Sequence, residues 1–580
     1  MKTLFLVMAL SALFPQASFI LPGLSSSVPD SSPSGFERSV LALSGASCME
    51  ELSAEEISRF ERLARRPLDL NRCGRGALIA SGLFSGYQAA SLLEYRSRTG
   101  DIMSWSELAL VDGFSVEFAG YLRPFVRIGS SSAPGPDVTR PAGLDGSAAL
   151  SSDLSLKIPS PSSGGAPYGA DCGGRLRLEL ESRCGAELYW TFSPEFTRKE
   201  YGPGTLSAAY YGKKRLSKLV LGHFNARFGQ GLLQWSGFSL SGFSSIQAFC
   251  RNASGFSPTG SASASLCGAA VELDFGRFGT SAAYSFTGNR LLASLSHHTR
   301  RTTAGLTFQL RPDGAARYGP GVAAVADLSA DCRISLPGAS VFAEAAYSPS
   351  GGAAFCAGML FVPEYGYRYA FQLRWYPPAS GERSLAAAGA QWPWGFASLE
   401  AGLKEGEELR GRALLTLKKD FMLHSWTLSP SFRYACKADC LVSVFSGLEQ
   451  RHEFRLELDA AAGRFRLRPR LDYVISAGGL SWLGCAESGW EAERLRAFVK
   501  AGVFDIPDWD GRIYVYQRSV PGGFSVPAFR GRGFFVSWYL YLAVLRAHGL
   551  YLTGSAVAYP YDPDGRDGKC SLCIMWKTKF

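Results

Sequence analysis

At 580 residues the chain is too long for one ordinary domain, and composition narrows the class further. Charged residues make up only 19% and aromatics reach 13%, against about 25% charged in a typical soluble domain. The formal charge of +10 gives modest attraction to polyanions such as DNA, lipopolysaccharide or capsule and selects none of them.

The first residues read as an export signal. Lys2 precedes an apolar run from Leu4 to Phe14, and Gln16-Ala17-Ser18 offers a small-residue cleavage site. That run is too short to span a bilayer, so residues 1–17 are predicted to be a secretory signal peptide of a Gram-negative cell. The first cysteine is Cys48, too far on for lipoprotein anchoring. No later stretch has the roughly 18 uncharged apolar residues of a spanning helix.

Residues 47–128 have helical texture, with Ser53 and Glu56 spaced as a capping box and Leu78-Ile79 and Leu92-Leu93 in separate apolar segments. Residues 129–146 turn to Ser, Pro, Gly and Ala, as a linker does. From 147 to 580 the period becomes two. Arg175 to Glu181 alternates charged and apolar residues, and so does Glu453 to Asp459, which meets Arg464 to Arg468 across a short turn. In a soluble sandwich the charged face meets water outside; in a membrane barrel it lines the lumen and Leu and Phe meet lipid.

The C-terminus separates these. Leu572, Ile574, Trp576, Thr578 and Phe580 share one face, the pattern by which assembly machinery recognises a terminal barrel strand. The predicted fold is an all-β transmembrane antiparallel barrel of roughly 18–26 strands, even in number, preceded by a small all-α domain. An even count puts the helical domain on the side of the short turns, in the periplasm of an outer-membrane protein, with lipid and the assembly machinery as partners. Trp392, Trp394, Trp538, Tyr539 and Tyr541 suit the interfacial girdles. Residues 226–262, rich in Gly, Ser and Phe, suit either a constriction folded into the lumen or a long external loop.

Chemistry is sparse. The thirteen cysteines include Cys570 and Cys573, on opposite faces of a predicted strand, and Cys436 and Cys440, flanking a predicted three-residue turn as free thiols or a disulfide. The six histidines suit lumen-facing polar positions, and no nucleophile, phosphate loop or dinucleotide fingerprint accompanies them. We read no catalytic residue, no metal site and no cofactor, and no enzyme. Arg530-Gly531-Arg532 suits a pore lining, a loop or a headgroup contact.

Residues 70–126 carry Leu70-Asn71, Leu78, Ala89, Leu92-Leu93-Glu94-Tyr95-Arg96, Gly100, Ser104, Glu107-Leu108, Val111 and Gly113 at fixed offsets. This resembles the tandem helix-hairpin-helix domain of the ComEA competence DNA receptors. The resemblance implies phosphate contact at Gly82-Leu83-Phe84-Ser85 and Gly113-Phe114-Ser115, supported by Arg96 and Arg98, through helix N-terminal amides. Leu83, Ser85 and Ser115 stand where that family has glycine, which holds phosphate away. The whole arrangement resembles outer-membrane helix-hairpin-helix proteins of Bacteroidetes-type bacteria. It is carried by Leu219 to Phe224, Phe228 to Leu232 with Trp235 to Phe238, Gly255 to Pro258, Asp510 to Tyr516 and Phe529 to Gly533. Two functions follow. One is a channel or uptake component whose helical domain engages DNA or another polyanion. The other is a structural or assembly protein whose helical domain docks periplasmic proteins, or a module that plugs the barrel.

Overall fold

The computed structural model describes residues 33–129 and 144–580, except 159–168, 183–184, 198–203, 213–214, 238, 240–241, 262–264, 300, 312–324, 337, 350, 365, 378–379, 381, 405–407, 442–448, 546 and 563–564. The expected signal peptide and most of the expected linker lie outside the described residues.

From Leu144–Ile158 to Gly568–Lys579 the chain forms a closed antiparallel barrel of 24 strands. Two of these are interrupted, Gly255–Pro258 continuing as Leu266–Asp274 and Glu408–Lys418 as Phe421–Leu423. The first and last strands close the seam from Ser147 opposite Lys579 to Ile158 opposite Gly568. Gly146 and Phe580 exchange backbone hydrogen bonds of 2.8 and 3.0 Å at its end.

The alternation decides which way each strand faces, since a one-residue slip would turn every side chain over. Leu456 is exposed on the outer face while its neighbour Arg455 is largely buried inside. Ile574, Trp576 and Phe580 point outward from the last strand, and Met575 and Lys577 point in. A continuous outer surface of exposed Leu, Val, Phe and Trp marks an outer-membrane-type barrel. At the end where both termini lie, no connection between successive strands exceeds four residues. The long excursions, 228–254 and 507–530, are at the other end.

Two local expectations are corrected. Tyr539 and Tyr541 face the lumen, sharing the inward parity of buried Phe535 and Ser537, whereas Trp538 faces out. In the run Trp538 to Leu542 aromatic residues fall on both faces, so composition does not fix the parity. Cys436 and Cys440 do not flank a turn. They lie within the strand Trp426–Leu441, whose ladders to both neighbours run through Lys437-Ala438-Asp439 and override that tripeptide's turn preference.

The helical domain comprises α1 (Pro33–Ser44), a 3-10 turn at Met49–Glu51, α2 (Ala54–Arg65), α3 (Arg75–Ala80), α4 (Gly86–Thr99), α5 (Trp105–Leu108) and α6 (Val116–Leu122). Ser53, Ser85, Ser104 and Ser115 each cap a helix, accepting a hydrogen bond from the third residue on. Leu70, Leu78, Leu92, Leu108, Leu122, Phe60 and Phe125 form its core. Parallel pairing of Leu68–Asp69 with Val126–Arg127 joins its two ends. The Asn71 side chain fastens the middle, donating to the carbonyls of Ile102 and Gly129 and accepting from the Ile102 amide.

Candidate functional site

The helical domain does not hang beside the barrel in open periplasm; it sits in the lumen. Its side chains bond to inward-facing residues on strands distributed round the wall. Arg65 pairs with Glu179 at 3.0 Å, Glu56 with Arg227 at 3.8 Å and Glu117 with Arg368 at 3.3 Å. Glu55 accepts from Asn225, and from Thr259 at 2.9 Å. The physical reason is charge. Residues 33–61 carry six glutamates against two arginines, and the barrel wall facing them is rich in arginine.

The densest contact lies on Trp426–Leu441, Glu449–Ala462 and Phe465–Ser476. Arg433 and Arg455 stand directly opposite one another across the first two of these strands. Like charges so placed repel unless an anion intervenes. The wall supplies Glu453 to Arg433 at 3.9 Å and Asp472 to Arg455 at 2.8 Å, and the 3-10 turn adds to these: Glu51 meets Arg433 at 2.9 Å, and Glu50 meets Arg455 at 3.3 Å and also Arg470. Thirteen residues before Glu50, Glu37 on α1 meets Arg468, Arg518 at 3.1 Å and Arg466 at 3.7 Å. Burial by itself would raise the Glu37 carboxyl, but Arg468, Arg518 and Arg466 overcome it and hold it down at about 2. Glu50 is likewise held well below the carboxylate range against its burial, by Arg470 and Arg455. We call Glu37, Glu50 and Glu51 the acidic bolt.

Both long excursions fold inward and complete the filling. In 228–254, the amides of Gln230 and Leu232 donate to buried Glu344 at 2.6 and 3.2 Å. Arg374 and Gln372 donate to the carbonyls of Gln230 and Phe249. Ile246 and Phe249 then pack on Ala370, Ala387 and Phe396, so of the two readings of this segment the lumenal one describes it. Gly229, at φ +57°, lets the chain turn in beside Glu344, where a side chain would collide with the carboxylate. In 507–530, Tyr516 donates its amide to Glu50 and Gly522 donates to Glu61, while Tyr516 and Phe524 pack on the helical core.

The hairpin residues divide. Leu83 and Phe84 are buried in the helical core, and Ser85 is spent in a reciprocal cap with Gln88. A side chain on Gly82 would strike Arg59. In the second hairpin Gly113 accepts from Gln88, Phe114 is buried and Ser115 caps α6. Arg96 donates to the carbonyls of Cys73 and Asn71, so its guanidinium braces the fold; Arg98 is exposed beside Glu94. The hairpins thus serve the domain's own fold, and the residues of the acidic bolt, Glu37, Glu50 and Glu51, lie where the hairpin resemblance gives no signal. An acidic run ahead of an arginine-rich barrel was the available clue.

The six histidines are dispersed over Leu216–Arg227, Arg290–His298, the turn at His424, Glu449–Ala462 and His548–Ala558. Among the described residues no group of three or more His, Cys, Asp or Glu is placed to hold a metal ion. Arg532 is exposed on the outer face at the far end, paired with Asp505 at 2.7 Å, so it does not line the lumen.

No family model and no curated protein matches the chain. Among solved structures it is similar to a BenF-like porin from Pseudomonas fluorescens Pf-5, at 8% identity and TM-score 0.32, over 75% of this chain and 99% of that one. It is similar also to OpdO of Pseudomonas aeruginosa, at 10% identity and TM-score 0.32, over 75% and 97%. A third is OccAB1 of Acinetobacter baumannii, at 7% identity and TM-score 0.31, over 75% and 97%. Similarity this loose transfers no function; the barrel assignment rests on the strand pairing itself.

Proposed function

We propose that this protein is a gated outer-membrane channel or uptake component in which the N-terminal domain, a helix-hairpin-helix module by its sequence, is the gate. One observation carries the reading: the domain occupies the lumen and is held there by ion pairs to several strands, not by a continuous apolar interface. A permanently filled barrel gains more from hydrophobic packing, because desolvating buried ion pairs offsets much of their attraction. An ionic seat suits a part that must leave.

The test is conductance in planar bilayers of the full chain and of its Glu37→Gln/Glu50→Gln/Glu51→Gln variant. The gated reading expects rare openings in the first and sustained current in the second. Equal silence in both, with the variant shown to be folded by its resistance to heat and detergent, would sink it.

A second reading is favoured by Met103, Leu110 and Val116, large apolar side chains left exposed on the helical domain. They suit a periplasmic protein that docks on the domain and draws it out. Hairpin contact with DNA phosphate belongs to that withdrawn state, since the helices flanking the first hairpin, Arg75–Ala80 and Gly86–Thr99, lie against barrel strands in the seated one. Anisotropy of labelled duplex DNA across a salt series, with intact protein and with the bolt variant, measures it. Binding by the variant alone is the expected result if the hairpins handle DNA.

A further inference from the structure

Between the acidic bolt and the far end of the barrel lies a cavity of about 330 Å³, and a second, of about 470 Å³, lies near Arg175. The first is the informative one. Its lining includes Lys437 and Arg451, which stand nearer the far ends of their strands than Arg433 and Arg455 do. Six cationic side chains border it: Arg412, Arg433, Lys437, Arg451, Arg455 and Arg512. Five carboxylates face them, of which Glu50 and Glu51 belong to the helical domain. When that domain leaves, the same wall keeps six cations against three carboxylates. The directly opposed Arg433 and Arg455 then keep only the wall carboxylates Glu453, at 3.9 Å from Arg433, and Asp472, at 2.8 Å from Arg455, and lose Glu51 and Glu50.

We propose that this cavity is a binding site for an anionic cargo carrying two or more carboxylate or phosphate groups, and that cargo unseats the helical domain by taking Arg433 and Arg455 from Glu51 and Glu50. The proposal rests on the gated-channel reading. Guanidinium groups bind either oxyanion through paired N–H donors, which is why both chemistries belong to one proposal. The glutamates of the bolt occupy the place of the cargo's charged groups, so the closed state and the cargo-bound state use one set of wall residues. Competition for shared arginines supplies the differential affinity that a ligand needs to shift a two-state equilibrium.

The experiment is hydrogen exchange of the full-length protein in detergent, read at residues 33–61, with millimolar tripolyphosphate, with citrate, and with sodium chloride at matched ionic strength. We expect tripolyphosphate or citrate to speed exchange across α1 and the 3-10 turn at least tenfold over sodium chloride. A response to one and not the other assigns phosphate or carboxylate as the preferred group. No acceleration by either beyond that of sodium chloride overturns the proposal. So does an equal acceleration in the Arg433→Gln/Arg455→Gln variant. These outcomes are separate from the gate itself: sustained current in the bolt variant together with anion-insensitive exchange leaves a channel whose release has another cause. Silence of the bolt variant removes the gate, whatever the exchange shows.

Discussion

Two arcs of the barrel wall fill the same lumen by different means. Along the strands from Tyr367–Trp375 to Gly395–Lys404 the inward face sets small residues, Ala370, Ala387, Gly389 and Ser398, beside Arg368, Gln372 and Arg374. Their low relief accepts Ile246 and Phe249 of the inward excursion as an apolar inlay. Along the strands from Trp426–Leu441 to Phe465–Ser476 the inward face is arginine and carboxylate, and what it holds is held by charge. Where Ile246 and Phe249 rest, the first arc behaves as ordinary apolar core. The second is a seat whose occupant is exchangeable, because buried charges are satisfied equally by any well-placed counter-charge.

The strongest way to break this contrast is to remove the bolt. Uncovering one partner of a buried ion pair costs about 3–5 kcal/mol, so Glu37→Gln/Glu50→Gln/Glu51→Gln is expected to raise open probability in bilayers by a hundredfold or more. Next comes the inlay. Phe249→Ala should lower resistance to urea by about 3–5 kcal/mol through the cavity it leaves, while bilayer current stays near that of the unaltered protein. Current as large as that of the bolt variant would show that the two arcs are one device.

Acid gives a smaller, graded effect. The Glu37 carboxyl is held at about 2 against an ordinary 4.5, a folded value below the free one. Its contribution is complete above about pH 4.5 and is lost as pH falls towards 2. Exchange at residues 33–51 should therefore be flat from pH 8 to pH 5, once the intrinsic rate is divided out, and rise below. An onset at neutral pH would place the sensitive group elsewhere. Smallest of all, Arg98→Ala removes an exposed pair with Glu94 and should change thermal stability by less than about 0.5 kcal/mol. A larger loss would mean that this exposed face already holds a partner.

Much of the barrel is legible in the sequence. Arg175 to Glu181 and Glu453 to Asp459 state the period and the face, and the run ending at Phe580 tells a membrane barrel from a sandwich. The interior is not legible, because a strand with a charged inward face reads the same whether that face meets water or protein. Only the pairing of Arg433 opposite Arg455, a product of register, shows that a counter-ion is required, and register between distant strands is invisible along the chain. The hairpin resemblance, read from residues 70–126, draws attention to Gly82 and Gly113. Most of the polar contacts with the wall come instead from residues that precede it, Glu37, Glu50, Glu51, Glu55, Glu56 and Arg65, with Glu117 inside it. Tyr539 and Tyr541 show the same limit on a small scale, since one residue of parity separates a lipid-facing aromatic from a lumenal one.

The number of strands has a consequence of its own. With strands about 4.8 Å apart and tilted by about 40°, a regular 24-strand cylinder measures roughly 48 Å from backbone to backbone across its axis. Side chains on such a wall alone could not keep small solutes from an empty bore of that width. Every decision about what crosses is therefore made by the parts lodged inside it. If the helical domain is the gate, the permeability of the envelope at this point depends on how seldom its ion pairs with the wall let go together.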